Sequence, residues 1–296
     1  MNILSEIDLD GYYAPLKEPS VHGELASRAG LSLDAARHYL DAICNEAHTA
    51  LRLLHWAGLR PTDRVLEVGA GGGLLSGFLQ SRGVDLLALE PAAQGFEATR
   101  QLATIVREAT RISPNIYPLS ARDVQPERFG FFDLIFSINV IEHFQPMNEN
   151  LDALARLMAD NGRQIHTCPN YHVPYEPHYG IPLLPLAPHL TPYLGCRRLL
   201  DESLWQSLNF ITATDLRAYA RRWGLTISFK PAALWEALNR LLVEPEFARR
   251  QPKFLYKVAR LMKASRLESV IKRLPATAVT PMAVILRRGR AMGSRR

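Results

Sequence analysis

Apolar and polar residues alternate along the chain in the order expected for strands followed by helices. Short apolar runs predict buried strands, and stretches with apolar residues at helical spacing predict the helices between them. The predicted strands are 64–68, 84–89, 116–119, 131–140, 163–168, 225–229 and 280–286, and the predicted helices are 35–56, 73–81, 94–109, 148–158 and 214–223. This order predicts an α/β fold, doubly wound, with helices on both faces of a mostly parallel sheet.

Local signals refine several of these boundaries. Asp34 is expected to cap the first long helix and Gly58 to end it. Asn161 and Gly162 predict a turn before the strand 163–168.

Two segments interrupt the alternation. Residues 169–192 lack periodicity and contain seven prolines, which predicts an ordered, proline-stiffened loop or lid. Residues 232–274 predict a helical, basic insertion. The predicted organisation is an N-terminal helical cap at 1–60, a core domain at 61–231 and 275–290, a proline-rich substrate lid at 169–211 within it, and the basic insertion at 232–274.

Charge is distributed unevenly in a chain that is otherwise globular in composition, with 296 residues and 47% hydrophobic residues. Residues 249–273 carry a net charge of +8 and residues 287–296 carry +5, whereas the rest carries −7. We expect an anionic partner, either a membrane or a phosphorylated substrate, to meet the basic stretch 249–273. The alternative is an insertion that packs on the core with its charges in water. Few aromatic residues are interleaved, so no nucleic-acid partner is expected.

The cysteines and the chain start indicate the compartment. Cys44, Cys168 and Cys196 are odd in number and form no CxxC pair, so neither a zinc knuckle nor a disulfide framework is expected. The first residues do not resemble a signal peptide, and no run approaches the roughly 20 apolar residues of a membrane span. A cytoplasmic protein, peripheral at the inner face of the membrane if the basic stretch binds there, is therefore expected.

The first strand leads into a glycine-rich turn, Val-Leu-Glu-Val-Gly-Ala-Gly-Gly-Gly, at 65–73. Glycines here allow a sharp turn from strand to helix and let a ligand lie against bare backbone. Alone, such a turn also fits plain strand-to-helix packing. Glu90 ends the next strand, 23 residues after Glu67, and that spacing is typical of a carboxylate that binds ribose hydroxyls. The pair predicts a nucleoside-containing ligand.

The details of the turn distinguish between nucleoside ligands. The glycine pattern of a dinucleotide site, Gly-x-Gly-x-x-Gly, has a small residue at its third glycine position. Here Leu74 stands at that position, after Gly69 and Gly71. A carboxylate at Glu67 would also lie close to a pyrophosphate, but it suits a cation such as a sulfonium with an ammonium group. An NAD(P)-dependent oxidoreductase remains an alternative.

With these residues in view, the chain resembles the class I S-adenosylmethionine-dependent methyltransferases, in the ubiquinone-biosynthesis-like branch. Four segments match the family motifs in order: 65–73, 87–91, 132–144 (with Phe-Asp-Leu-Ile and Glu-His) and 162–170 (ending in Pro-Asn). The resemblance covers 60–170 closely and 212–230 and 279–287 loosely. It implies S-adenosylmethionine as cofactor and a Rossmann-like, seven-stranded sheet with an antiparallel last strand.

The resemblance also implies roles for individual residues. The methionine part of the cofactor would be held by Glu67, Gly69, Ala70 and Gly71, the ribose by Glu90 with Pro91, and the adenine by Ser120 and Ala121, while Asn139 would face the methyl donor. Ser120 replaces an acid that the family uses to contact adenine, and Asp123 is a stand-in.

Candidates for the acceptor site follow the fourth predicted strand and fill the proline-rich segment. A hydroxyl acceptor needs a base, and His143 is the first candidate; the alternative is that Glu142 and His143 cap the next helix. The lid offers Tyr171, His172, Tyr175, Glu176, His178 and Tyr179, of which His178 and Glu176 join His143 as catalytic candidates. The alternative is that these are solvated loop residues without a catalytic role. His172 and His178 lack a recognised ligand spacing, so no metal is expected.

Methyl transfer is an in-line displacement at a methyl carbon that the sulfonium of the donor already activates, so it requires alignment and exclusion of water rather than a nucleophilic side chain. The predicted function is O-methylation of a small molecule or saccharide. A cofactor-binding module that regulates a partner without turnover is the alternative from another class.

Overall fold

The computed structural model describes residues 5–91, 97–194, 200–249, 251 and 253–289. The chain divides into two compact units, one made of Met1–Ile138, Ala153–Ile165 and Arg290–Arg296, the other of Asn139–Asp152 and His166–Gly289. They are called here the first and the second unit. Cys196, the first three positions of the predicted helix 94–109, and Arg250 of the basic stretch lie outside the described residues.

Seven of the strands form one sheet. The strands are β1 (Arg64–Val68), β2 (Asp85–Leu89), β3 (Ile116–Tyr117), β4 (Phe132–Ile138), β5 (Met158–Cys168), β6 (Tyr175–Glu176), β7 (Ile181–Pro182), β8 (Leu225–Phe229) and β9 (Met282–Arg288). The hydrogen-bonded order is β3-β2-β1-β4-β5-β9-β8. β1 pairs in parallel with β2 and β4, whereas β8 and β9 pair antiparallel. The predicted Rossmann-like, mostly parallel seven-stranded sheet is confirmed.

The helices follow the predicted order, with additional short ones. They are α1 (Glu6–Tyr13), α2 (Pro19–Ala29), α3 (Leu33–Ala57), α4 (Leu74–Ser81), α5 (Glu97–Thr110), α6 (Pro126–Phe129), α7 (Met147–Leu157), α8 (Glu202–Ser207), α9 (Ala213–Arg222), α10 (Ala233–Val243), α11 (Pro245–Arg249), α12 (Lys253–Ala264) and α13 (Glu268–Ile271). The helical character predicted for 1–60 and 232–274 is confirmed; the domain boundaries drawn around these segments stay a prediction. None of the helices formed by the described residues is both long and apolar enough to cross a membrane.

The cap predicted for the first long helix was wrong by two residues. The side chain of Ser32 accepts a hydrogen bond from the amide of Ala35 at 3.1 Å and caps α3. Asp34 lies inside the first turn, where its negative charge interacts favourably with the helix dipole. Gly58, in the left-handed conformation, ends the helix as predicted.

The turn predicted at Asn161 and Gly162 was also wrong, because both residues belong to β5. Gly162 is needed for close approach rather than for turning. A Cβ atom there would lie 2.9 Å from the carbonyl oxygens of Phe132 and Ala159.

The core of the first unit is built on β1 and β4, whose register pairs Val65 with Leu134 and Leu66 with Ile135. All four side chains are fully buried. Each such side chain contributes about 1.5–3 kcal/mol by leaving water. These strands are buried on both faces, which is why their sequences read as continuous apolar runs.

The proline-rich segment is more regular than the predicted loop. β6 and β7 pair as a small antiparallel hairpin, with Glu176 opposite Ile181. Tyr171, Leu183 and Leu208 form a buried cluster, and the rings of Trp205 and Phe210 pack against it. The segment therefore has an apolar core of its own within the second unit, although its periodicity is too short to show in the sequence.

Candidate active site

The glycine-rich turn of the first unit is fixed to the end of β2. The amides of Gly69 and Ala70 both donate to the carbonyl oxygen of Leu89, at 2.8 and 2.9 Å. Glu90 follows directly, and its carboxylate accepts a hydrogen bond from the amide of Gly71 at 2.7 Å. The turn and the acid that sequence reasoning paired are therefore in direct contact.

Two glycines in this turn have different reasons to be glycine. Gly71 has φ +52°, and a Cβ atom there would meet nothing within 4 Å, so the backbone faces open space. Gly73 has φ +73°, and a Cβ atom there would lie 2.6 Å from the Ile116 side chain. Gly71 therefore offers bare backbone to a ligand, whereas Gly73 allows the helix to pack closely.

Glu67 is buried beneath the turn. The hydroxyl of Ser76, on α4, donates a hydrogen bond to its carboxylate. Burial, with a smaller contribution from the charge of Glu90, raises the pKa of Glu67 to about 7. Burial also raises the pKa of Glu90, although the amide of Gly71 opposes this. Two carboxyl groups with raised pKa values form a site that a cationic ligand would stabilise.

These features fit S-adenosylmethionine. Its cationic methionine part matches the carboxyl group of Glu67, its ribose needs an acceptor such as Glu90, and the bare backbone at Gly71 leaves room for the ligand. Pro91 is exposed directly after Glu90, at the edge of the described residues.

The segment implied to contact adenine begins a short helical turn. Ser120 and Asp123 form a capping box, in which the carboxylate of Asp123 accepts from the amide of Ser120 at 3.0 Å and from its hydroxyl. The Ser120 hydroxyl bond lowers the pKa of Asp123, so this carboxylate is ionised. Ala121 is buried. Asp123, the residue proposed to replace the acid that contacts adenine in the family, therefore caps this helical turn.

Asn139 follows β4 with φ +54°, a conformation in which Asn is enriched among non-glycine residues. Its amide donates to the carbonyl oxygen of Thr167 at 2.8 Å, and its side chain is exposed. Non-glycine residues with positive φ are strained and persist only where the surrounding structure holds them. They cluster at functional sites, which makes Asn139 a candidate site residue.

His143 lies in a short helical turn after Asn139, within the second unit. Its Nδ1 is 2.7 Å from the hydroxyl oxygen of Ser207, which itself donates to the carbonyl oxygen of Leu204 at 2.7 Å. Since the hydroxyl proton is used there, Ser207 accepts from Nδ1 and leaves the lone pair of His143 on Nε2. Burial lowers the pKa of His143 to about 4. His143 is therefore a neutral imidazole with a defined tautomer.

The turn that carries His143 is held by Asn209. The side-chain amide of Asn209 donates to the carbonyl oxygens of Ile141 and Phe144, at 2.8 and 3.1 Å. Its backbone amide donates to the carbonyl oxygen of Glu142 at 2.8 Å. Sequence reasoning missed both Asn209 and Ser207, because more than 60 residues separate them from the turn. The alternative that Glu142 and His143 cap a helix finds no support here, since α7 begins only at Met147.

Glu176 and His178 form a hydrogen-bonded pair on the hairpin. Nδ1 of His178 is 2.5 Å from Oε1 of Glu176, which also accepts from the hydroxyl of Tyr171 at 3.1 Å. Oε2 accepts from the amide of Tyr179 at 2.8 Å. Burial alone would raise the pKa of Glu176, but the bonds and charge of His178 outweigh it and lower the pKa. A buried, ionised carboxylate thus orients a half-exposed imidazole.

The rings of His143 and His178 pack in a T-shaped arrangement, with centroids 5.4 Å apart. One ligand atom from each of Glu142, His143 and His178 lies within 4.8 Å of the others, a grouping of the kind that holds metal ions. The sequence predicted no such grouping, because ligand spacing along the chain does not reveal it. His172, in contrast, is exposed and outside this cluster. Of the predicted catalytic residues, the structure brings together His143, His178 and Glu176.

Comparison with known proteins gives consistent matches. Residues 36–228 match the profile of a family described as a methyltransferase domain. An uncharacterized protein of Mycobacterium tuberculosis (strain H37Rv) is 34% identical over 225 residues, covering 72% of this chain and 74% of that protein. A ubiquinone biosynthesis O-methyltransferase of Xylella fastidiosa is 28% identical over 167 residues, covering 55% of this chain and 60% of that enzyme.

Among solved structures, a phosphoethanolamine N-methyltransferase 2 of Haemonchus contortus, in complex with S-adenosyl-L-methionine, superposes with a TM-score of 0.46 at 16% identity. The match covers 81% of this chain and 52% of that one.

Proposed function

The chain belongs to the methyltransferase domain family and is an S-adenosylmethionine-dependent enzyme, and from this premise we propose that it methylates an oxygen atom of a small molecule or saccharide. S-adenosylmethionine supplies a methyl carbon that is already activated by its sulfonium. The protein residues must hold the cofactor, orient the acceptor and remove the acceptor's proton.

The cofactor is held by the first unit in this proposal. Glu90 accepts hydrogen bonds from the ribose hydroxyls, and Glu67, with the backbone at 69–71, holds the methionine part. The contact between Gly71 and Glu90 supports this assignment because it brings both elements together without the ligand. As the family resemblance implies, Ser120 and Ala121 are assigned to the adenine ring, and Asn139 is assigned to face the methyl donor.

The acceptor hydroxyl is deprotonated by His178, with Glu176 as its positioning residue. The observation that carries this proposal is the 2.5 Å bond between the buried carboxylate of Glu176 and Nδ1 of His178. That bond fixes Nε2 as the proton acceptor and stabilises the imidazolium that forms, the same logic by which a buried aspartate serves the histidine of a serine protease. The half-exposed ring leaves His178 accessible to an acceptor.

His143, the first candidate from the sequence, has a different role. With a pKa of about 4 it is a poor proton acceptor near neutral pH. Its Nε2 lone pair, defined by Ser207, instead accepts a hydrogen bond from the acceptor and helps to orient it. The name of the Xylella fastidiosa relative, an O-methyltransferase, supports an oxygen acceptor over a nitrogen one.

The proposal is tested by the release of S-adenosylhomocysteine in the presence of a panel of saccharides, quinols and small acids. We expect release that depends on one class of hydroxyl acceptor and falls by about 10²–10⁴ in His178→Asn, because a general base contributes that much. The exposed His172→Asn is the matched control and should behave as wild type. Cofactor binding without acceptor-dependent release would favour the regulatory module, and binding of NADH in its place would favour the oxidoreductase.

A further inference from the structure

The second unit carries an exposed surface that the catalytic proposal does not use. It is formed by α12 and by the segment through α13 to Leu274, and is called here the α12–α13 surface. α12 packs against α10 through the face that contains the buried Ala259. The opposite side of the helix is exposed.

Apolar side chains are exposed along this surface. On α12, Phe254 and Leu261 are exposed to 55% and 66%, and their spacing of seven residues, two helical turns, puts them on one side of the helix. Leu267, Val270 and Leu274 follow at spacings of three and four residues and are exposed as well. Soluble proteins rarely expose several large apolar side chains close together in the sequence without a partner.

Basic side chains surround these apolar ones. The exposed cations are Lys253, Lys257, Arg260, Lys263, Arg266, Lys272 and Arg273, and Glu268, paired with Lys272, is the only acid between 253 and 274. Within the described part of the chain, no acid forms an ion pair with Lys257, Arg260 or Lys263. The packed alternative considered for this insertion accounts for the face against α10 but not for the exposed one.

We propose that the α12–α13 surface binds the surface of an anionic lipid bilayer. The lysines and arginines meet the lipid headgroups, while Phe254, Leu261 and Val270 enter the boundary between headgroups and acyl chains. Both contributions are needed for stable attachment of an amphipathic helix, and both are present. A nucleic acid would satisfy the charges but not the exposed leucines and valine, and stacking aromatics are few.

Vesicle co-sedimentation of the full chain tests this proposal. We expect binding to phosphatidylcholine vesicles that contain about one third phosphatidylglycerol, weak binding to pure phosphatidylcholine, and loss of binding near 0.5 M salt, at roughly a 4 Å Debye length. K257E/R260E should weaken binding more than 20-fold, because each basic residue at the surface contributes about fivefold. F254S/L261S should weaken it by roughly tenfold with the charge unchanged.

R37E/R107E is the matched control, since it makes the same change of charge at exposed positions of the first unit. It should bind anionic vesicles nearly as wild type does. The proposal is overturned if the control and K257E/R260E lose binding equally, or if neutral and anionic vesicles bind alike. Binding to duplex DNA but not to vesicles would assign the surface to nucleic acid and overturn it too.

Discussion

The backbone amide of Gly71 donates a hydrogen bond to the carboxylate of Glu90 at 2.7 Å. This contact joins the glycine-rich turn after β1 to the end of β2, two of the places where the sequence predicted a cofactor contact. It also occupies one oxygen of Glu90, and the other carboxylate lone pairs are those that ribose hydroxyls would use. The contact therefore orients Glu90 before the cofactor binds.

Glu90→Ala should weaken binding of S-adenosylmethionine and S-adenosylhomocysteine by about 10- to 100-fold, because a hydrogen bond to a charged group contributes about 1.5–3 kcal/mol. Isothermal titration calorimetry measures the change. Glu127→Ala removes an exposed acid of the same unit and should leave both affinities as they are. Equal affinities in Glu90→Ala and wild type would show that ribose binds elsewhere.

Glu67 should make the ligand-free protein less stable as the pH rises. Its carboxyl titrates at 4.5 in the unfolded chain and at about 7 in the fold, so the fold favours the protonated form. The stabilisation that the protonated Glu67 carboxyl contributes is present in full below its pKa in the unfolded chain. It is lost as the pH rises to its pKa in the fold, by about 3 kcal/mol in total. Urea unfolding of wild type and Glu67→Gln, at about pH 5 and about pH 8, measures this loss as the difference between the two proteins.

Glu67→Gln should also lower the affinity for S-adenosylmethionine, because it removes the charge that a cationic ligand would compensate. The exposed Glu127→Gln is the control for the pH series and should parallel wild type. If Glu67→Gln and wild type lose stability by the same amount between the two pH values, the buried carboxyl is not the group responsible.

Glu176→Gln should reduce kcat by about 10²–10⁴ while the affinity for S-adenosylmethionine stays constant, because the imidazolium of His178 would lose its counter-charge. Ser207→Ala should have a smaller effect, about tenfold, mainly on KM, because it frees the tautomer of His143 without removing the base. Single-turnover kinetics with the best acceptor of the panel separates the two. A Glu176→Gln enzyme with full kcat would rule out the pair as the proton acceptor.

Arg163 should be a strong determinant of stability in the first unit. It is buried, its Nη2 is 2.5 Å from the fully buried carboxylate of Asp63, and it donates to the carbonyl oxygens of Ala57 and Gly58 at 2.7 and 2.6 Å. Arg163→Ala should reduce the free energy of unfolding by about 3–5 kcal/mol, because it removes the buried partner of the Asp63 carboxylate and the side-chain donors to two carbonyl groups.

Arg60 provides the matched comparison, since it is mostly exposed and contacts the same Asp63 carboxylate at 2.9 Å. Arg60→Ala should cost at most about 1 kcal/mol in denaturant unfolding. Similar losses in the two variants would mean that burial does not determine the strength of this network.

The centre of the sheet could be predicted from the sequence because β1 and β4 are buried almost along their whole length and therefore form continuous apolar runs. The limits of β1 and β8 were predicted to the residue, and β4 within two residues at each end. The Asp34 cap was wrong because two capping residues, Ser32 and Asp34, stand close together and only backbone geometry selects between them. The hairpin of β6 and β7 was missed because strands of two residues leave no alternating pattern.

Some residues of the candidate site could be predicted from the sequence and others could not. Glu67, Gly71 and Glu90 could be identified because their spacing along adjacent strands reflects their proximity. The partnership of His178 with Glu176 is also local, two residues apart, and is visible in the sequence once the segment is known to be ordered. Ser207 and Asn209 could not be found, because their contacts to the His143 turn depend on how distant segments of the chain pack.

In the proposed function, this methyltransferase acts on oxygen with His178 as the base. The most direct measurement uses methyl-¹³C-labelled S-adenosylmethionine with the acceptor that supports turnover, and locates the label in the product by NMR. We expect a methoxy carbon in the product of wild type and of His172→Asn, and almost none with His178→Asn. A label on nitrogen or carbon, or a methoxy product formed equally well by His178→Asn, would contradict it.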